Sequence, residues 1–308
     1  MNDAAIQALD LTKTFRGGVV AVNGLDLEVR RGAVYGLVGR NGAGKTTLLR
    51  LVLGLLRADR GSATVLGCDF RHASQALRSR VAYVSQTQAV HSWMSLEELC
   101  RCVGHFYERW DPRHARALAA DWGLPWKRPV GRLSTGEQRK AMILLAFAAR
   151  PEVLVLDEPA AGFDLIARRE LIEEIIEAIT QADGCTVLLS THVISDLERV
   201  ADYVGIMDRG RIAMSARLED LLNQTKRVQV IFQDDEPWAD FAIPGAVRCR
   251  RSGPVVNAVV RLADGSELDT LRGWAGLRVQ VFPISLEEIF IELFGPDPRN
   301  GSGESDRV

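Results

Sequence analysis

Val34-Tyr35-Gly36-Leu37-Val38-Gly39-Arg40-Asn41-Gly42-Ala43-Gly44-Lys45-Thr46-Thr47 carries a strand, a loop and the start of a helix in succession. The apolar run Val34 to Val38 reads as a buried strand. Thr46 to Leu56, with Leu48, Leu49, Leu51, Val52 and Leu55 at helical spacing, reads as the helix that follows. Between them, Gly39 to Thr46 has the spacing G-x-x-x-x-G-K-[ST]. Each residue type has a reason to be there. Glycines let consecutive backbone N–H groups close around phosphate oxygens, and the helix N-terminus adds the positive end of its dipole. Lys45 can reach β- and γ-phosphates, and the Thr46 hydroxyl suits Mg²⁺. The stretch predicts a nucleoside triphosphate site at the end of a strand in an α/β fold.

The rest of the composition sets bounds. A chain of 308 residues, 47% of them hydrophobic, holds one large or two modest domains with a real core. A net charge of −2 and a pI near 6.3 give no global attraction to nucleic acid or anionic lipid, and no nucleic-acid partner is expected. No apolar run approaches the roughly 18 residues that would span a bilayer; the longest, Ala141 to Ala149, suits a buried helix. Met1-Asn2-Asp3 does not open a signal peptide. The five cysteines form no C-x-x-C pair and read as reduced thiols, so a cytoplasmic protein is expected.

Along the chain, residues 5 to 35 alternate as strands with a turn at Gly17-Gly18, and Arg60 to Gly67 and Val81 to Val84 are further strands. From about 88 to 150 the character is helical, opened by the capping box Ser95-x-x-Glu98 and carrying Leu99, Val103 and Phe106 at helical spacing. β-type sequence returns at Val153 to Leu156. An amphipathic helix follows (Leu171, Ile172, Ile175, Ile176, Ile179), then the strand Thr186 to Leu189. Near 222 the polarity rises and a small α+β region begins, with strands at Val228 to Phe232, Val255 to Leu262 and Leu277 to Phe282 and a last helix capped by Ser285-x-x-Glu288. The expected domains are 1–222 and 223–296, with a disordered tail at 297–308.

Two motifs complete the constellation. Val153-Leu154-Val155-Leu156-Asp157-Glu158 puts two carboxylates at the tip of a buried strand, the first fit to hold Mg²⁺ and the second to orient water. Leu133-Ser134-Thr135-Gly136-Glu137-Gln138 is a capping box before a helix, and a capped helix N-terminus is an anion site. The second motif resembles the Leu-Ser-Gly-Gly-Gln signature of ABC (ATP-binding cassette) ATPases, and the resemblance extends over residues 5 to 220. It implies a P-loop nucleotide-binding core with an N-terminal antiparallel β-subdomain, a helical signature subdomain and a small C-terminal α+β domain.

The resemblance also implies roles. ATP would be held by Gly39, Arg40, Asn41, Gly42, Ala43, Gly44, Lys45, Thr46 and Thr47, with Phe15 stacking on adenine. Mg²⁺ would be held by Thr46, Gln86 and Asp157; Glu158, His192 and Gln86 would serve catalysis; and Ser134, Gly136 and Asp164 would act across a head-to-tail dimer. Thr135 and Glu137 depart from the usual signature, Ala160 and Ala161 replace polar residues, and Leu165 stands where proline is usual. None of these removes the acid, lysine, glutamine or histidine, so a hydrolysing site is expected. The ending Pro283 to Leu293 and the stretch Ile166 to Leu171 resemble ATPase subunits of ABC-2-type exporters. That branch implies a separate polytopic permease, a second ABC subunit (a homodimer before a heterodimer) and a peripheral location on the inner face of the cell membrane. Thr87 to Met94, including Trp93, would meet the permease. The alternatives are a soluble ABC-type ATPase acting on ribosomes or DNA, and a regulatory module switched by ATP. Single-chain proteins of the first kind carry two cassettes or long inserts, which this chain lacks.

Overall fold

Burial alternates along β2 (Val20–Arg30) and is mixed along β1 (Ala4–Thr14), which exposes Leu9 and Asp10, whereas β3 (Val34–Val38) is buried at every residue. The difference separates a half-exposed antiparallel sheet from a covered parallel one. The computed structural model describes residues 3–86, 91–182, 184–233, 241–243, 245–262 and 276–294. In it β1 and β2 pair antiparallel, α1 (Lys45–Val52) follows β3, and β4 (Arg60–Val65) closes a sheet of order β2-β1-β4. Then come α2 (Gln75–Arg78), β5 (Val81–Val84) and a helical stretch of α3 (Leu96–Gly104), α4 (Pro112–Asp121) and α5 (Thr135–Ala148). β6 (Val153–Asp157), α6 (Leu165–Gln181), β7 (Thr186–Thr191), α7 (Ile194–Leu197), β8 (Tyr203–Asp208) and β9 (Arg211–Arg217) follow.

The central sheet has the order β5-β6-β7-β3-β8-β9. Its pairs β5/β6, β6/β7, β7/β3 and β3/β8 are all parallel. Whatever follows Val84, Asp157, Thr191 and Val38 therefore emerges at one edge, side by side, where ligands of open α/β sheets bind. One core joins the antiparallel sheet to α1 and the underside of this sheet, through Ile6, Leu25, Leu48, Leu49, Val65 and Val155 among others. The second part of α5 is apolar on every side: Ala141 to Ala148 are all buried, as a helical segment without a polar face must be.

Two helices are shorter than their periodicity predicts. α1 stops at Val52 because Leu53 caps it and Gly54 turns the chain at φ 63, which leaves Leu55 60% exposed instead of on the buried stripe. α3 ends at Gly104, and Phe106, expected on its apolar face, lies beyond the end and is 61% exposed.

By packing, the chain divides into units at Met1–Ala216 and Arg217–Val308, ahead of the join placed at 222 on polarity. The reason is α8 (Leu218–Gln224), which buries Leu218 and Leu221 and leads straight into β10 (Thr225–Phe232). With β11 (Ala246–Ser252), β12 (Val255–Arg261) and β13 (Leu277–Phe282), β10 forms an antiparallel sheet of order β11-β12-β10-β13. Val228, Val230, Phe232, Val256 and Val260 build its core. α9 (Leu286–Phe294) closes the unit, with Ser285 and Glu288 exchanging the bonds of a capping box. The expected disordered tail and Thr87 to Val90 lie outside the described residues. Among the described residues no helix is long and apolar enough to cross a membrane.

Candidate functional site

The loop after β3 turns on its glycines. Gly44, the N-cap of α1, has φ 106, and a Cβ there would lie 2.1 Å from the Ala21 carbonyl oxygen; at Gly39 a Cβ would lie 2.5 Å from that of Met207. Larger residues would force the loop off the strands that flank it. Lys45 then points back along the loop. Its Nζ donates to the Gly39 carbonyl at 2.6 Å and lies 3.0 Å from Glu158 Oε1, with both side chains almost wholly buried. The Arg40 carbonyl accepts from the Ala43 amide at 3.0 Å and lies 3.5 Å from Lys45 Nζ.

Asp157, at the tip of β6, is fully buried and accepts three hydroxyl bonds. Thr46 Oγ1 donates at 3.0 Å, Ser190 Oγ at 2.8 Å and Tyr83 OH at 3.3 Å. Burial, and then the neighbouring Asp157 charge, hold the Tyr83 phenol above its ordinary pKa, so it remains a donor. Glu158 follows with φ 49, a left-handed conformation unusual for a residue with a side chain. Its N–H donates to the Ser190 carbonyl at 3.0 Å and to Ser190 Oγ at 3.1 Å. The turn aims the Glu158 carboxylate back at the loop, one oxygen on Lys45 and the other 2.7 Å from His192 Nδ1. His192, just past β7, also donates its backbone N–H to that oxygen at 3.3 Å.

These groups surround a cavity of about 400 Å³ lined by Asn41 to Thr47, Gln86, Glu158 and His192. It lies in the size range of small-molecule sites. It combines backbone N–H groups, one ammonium, one carboxylate and one imidazole at a helix N-terminus, an arrangement that binds a polyphosphate and can orient water beside it. The Thr46 hydroxyl, the Asp157 carboxylate and the Gln86 amide are hard oxygen donors, and the described residues hold no cluster of three or more His, Cys, Asp or Glu. That donor set fits Mg²⁺, which takes most of its ligands from phosphate and water.

Several predicted residues stand apart from the cavity. Phe15 is 43% exposed, near Lys13 Nζ at 6.0 Å from its ring. Ser134 caps α5, accepting from the Glu137 amide at 3.2 Å while Glu137 accepts from the Ser134 amide at 2.7 Å. Gly136 sits against Phe163, whose ring a Cβ there would meet at 3.3 Å. Asp164 caps α6. Within one chain, then, the structure gathers the loop, Gln86, Asp157, Glu158 and His192, and leaves Ser134, Gly136 and Asp164 on the outer surface of the same unit. Beside them Leu165 and Ile166 are 78% and 72% exposed, and Trp93 is 68% exposed rather than part of the core.

Sequence reading missed Ser190 and Tyr83, which hold Asp157. Ser190 had a signal: a hydroxyl at the end of the apolar run Val187-Leu188-Leu189. A larger hollow of about 750 Å³ lies elsewhere, lined in part by Trp110, Asp111, Arg150 and Cys185. Of its two carboxylates, Glu108 and Asp111, the second is already occupied: Asp111 accepts from the Arg113 and His114 amides and from Arg150. The smaller cavity is where reactive groups converge.

Comparison with known proteins agrees with this geometry. A family profile described as "ABC transporter" matches residues 22–161. The chain is 33% identical, over 96% of its length and 93% of the other, to "Nod factor export ATP-binding protein I" of Cupriavidus pinatubonensis (strain JMP 134 / LMG 1197). It is 29% identical, over 97% of its length and 98% of the other, to "Daunorubicin resistance ATP-binding protein DrrA3" of Streptomyces coeruleorubidus. Among solved structures, "Structure of ATP binding subunit of ABC transporter" superposes with a TM-score of 0.63 at 28% identity, over 71% of this chain and 92% of that one.

Proposed function

From the premise that this chain belongs to the ABC transporter family, as an ATP-binding subunit that hydrolyses ATP, we propose that it powers an exporter whose membrane-spanning permease is a separate polypeptide. The observation that carries this reading is the extent of the likeness to proteins named for export and drug resistance, which continues through the C-terminal unit to nearly the whole of both chains.

Lys45 is the hinge of the proposed mechanism. It neutralises Glu158 in a buried pair, so each group holds the other. ATP brings phosphate oxygens to the Asn41–Thr47 backbone, with Phe15 beside the adenine, and offers Lys45 a stronger anionic partner. Glu158 is then released to orient water for in-line attack on the γ-phosphate, while His192, still within reach, stabilises the charge that develops. Thr46, Asp157 and Gln86 are the residues that would hold Mg²⁺, which when bound offsets charge on the β- and γ-phosphates. Ser190 and Tyr83 keep the Asp157 carboxylate in place through their hydroxyls.

Ser134, Gly136 and Asp164 reach a phosphate only if a second subunit faces the loop. One chain carries both halves of such a composite site, which supports a homodimer. The ATP-bound dimer closes and the hydrolysed one opens, and that difference in affinity does work on the permease. Trp93 and Met94 are the proposed contact with it, at the inner face of the membrane. The test is a mild-detergent pull-down of tagged Glu158→Gln protein from host membranes with ATP present. Recovery of one stoichiometric polytopic protein is the expected result. Recovery of ribosomes or nucleic acid in its place refutes the exporter reading.

A further inference from the structure

Arg139 lies just over one turn into α5, on the same helix whose first residues are capped by Ser134. Its Nη1 donates to the Ser85 carbonyl at 2.6 Å and its Nη2 to the Gln86 carbonyl. Two consecutive carbonyls just past β5 are thus held by one planar guanidinium, the geometry in which Arg fixes orientation and Lys does not. The side chain is half-buried, and burial pulls its pKa below the usual guanidinium value while the Asp157 charge opposes this through space. A half-buried cation whose hydrogen bonds go to neutral carbonyls is an expensive way to hold a stretch of backbone, since carboxylates repay its desolvation better. The second of these carbonyls belongs to Gln86, which lines the nucleotide cavity together with Thr46 and Glu158.

The N-terminal part of α5 therefore carries two groups of interest. Ser134 lies at its cap, and Arg139 about 7.5 Å further along the axis holds Gln86. Lys140, the next residue, ties the same helix to α6 through Glu174 at 2.6 Å. In the dimer of the preceding section, which this inference rests on, Ser134 faces the partner's ATP and Gln86 faces the chain's own. We propose that Arg139 is a positioning residue that links the two ATP sites. Engagement of Ser134 by the partner's nucleotide is passed along α5 to the Gln86 backbone, and so sets whether Gln86 can serve this chain's Mg²⁺·ATP.

The test compares full-length wild type, Arg139→Gln and Arg139→Lys by two readouts. One is binding of the fluorescent analogue TNP-ATP with Mg²⁺ and with EDTA; the other is hydrolysis against ATP concentration. Arg139 is absent from the cavity lining, so binding in EDTA should stay within about twofold in every form. Arg139→Gln should lose the tightening that Mg²⁺ brings, and its kcat should fall about tenfold, the scale for groups that orient a metal's ligands. Its cooperativity in ATP should disappear. Arg139→Lys, which can still reach one carbonyl, should recover part of each loss. An Arg139→Gln protein with wild-type Mg²⁺ response and cooperativity overturns the proposal, and so does one whose EDTA binding falls as far as its kcat. If Arg139→Gln fails to fold, Arg139→Lys decides alone: a weakened Mg²⁺ response supports the link and an unaltered one refutes it. A wild type without cooperativity or an ATP-driven dimer refutes the dimer reading and the proposal with it. A cooperative wild type matched by its variants refutes only Arg139.

Discussion

Replacing Glu158 by Gln should do more than stop hydrolysis; it should also make the nucleotide-free protein weaker and ATP binding tighter. The substitution keeps the shape of the side chain and removes one charge from a pair 3.0 Å apart, with its two side chains 6% and 7% exposed. At an effective dielectric near 20, a pair at that distance attracts by about 5 kcal/mol. Breaking a buried pair costs roughly 3–5 kcal/mol in practice, because the survivor is left charged and unpaired. Two features put this case at or below the lower end: the Gly39 carbonyl still accepts from Lys45 at 2.6 Å, and a Gln oxygen can still accept a neutral bond. If phosphate oxygens recover about 1.4 kcal/mol when they take over Lys45, the variant binds nucleotide about tenfold more tightly than wild type. Calorimetric titration with a non-hydrolysable ATP analogue measures that ratio, and thermal melts without nucleotide measure the loss. A variant that melts like wild type and binds the analogue no better would refute the view that Lys45 and Glu158 restrain each other.

Gly44→Ala should abolish nucleotide binding in the same titration, because the new Cβ falls 2.1 Å from a backbone oxygen at a φ of 106. Ser134→Ala should lower stability by about 1 kcal/mol through loss of the α5 cap, by urea melts, and should lower ATPase activity further than that loss explains. Arg80 binds both oxygens of Glu152, at 2.7 and 2.6 Å, and holds its carboxyl below the ordinary 4.5. A depressed carboxyl stabilises the fold above its unfolded value and loses this as pH falls through the folded one. Melting temperature should therefore drop more steeply below pH 4.5 in wild type than in Glu152→Gln; parallel curves would exclude the pair as a cause. Asp at both Trp93 and Met94 should leave the ATPase of the isolated subunit intact and uncouple transport in reconstituted vesicles, and full transport would exclude that surface as the docking site.

What could be read from the sequence follows from how local each feature is. β3, the glycine loop and α1 are contiguous, so periodicity and spacing reveal them, as they do the capping boxes at Ser95, Ser134 and Ser285. The end of α1 was misread because apolar spacing continues to Leu55 while the backbone has already turned at Gly54. The hydroxyls on Asp157 were invisible for another reason. Ser190 and Tyr83 come from β7 and β5, and only the strand order brings them beside β6. The grip of Arg139 on Ser85 and Gln86 joins segments separated by α3 and α4, and no pattern within either one announces it.

The strand order has a consequence for how the chain comes to exist. β3, which carries the phosphate loop, pairs with β7 and β8, with Val34 opposite Val187 and Tyr35 opposite Tyr203. Neither partner has been made when β3 leaves the ribosome. At about 5–20 residues per second of synthesis, the loop's strand waits roughly eight to thirty seconds with both edges bare. β6 arrives earlier but pairs with β5 and β7, so β7 is the keystone that slots between β6 and β3 and brings Ser190 and His192 with it. A nascent chain halted before β7 would hold the whole glycine loop without a sheet to anchor it. The wedge strand thus completes both the seat of the phosphate loop and the ring of side chains around it, adding Ser190 and His192 to the Asp157 and Glu158 already made.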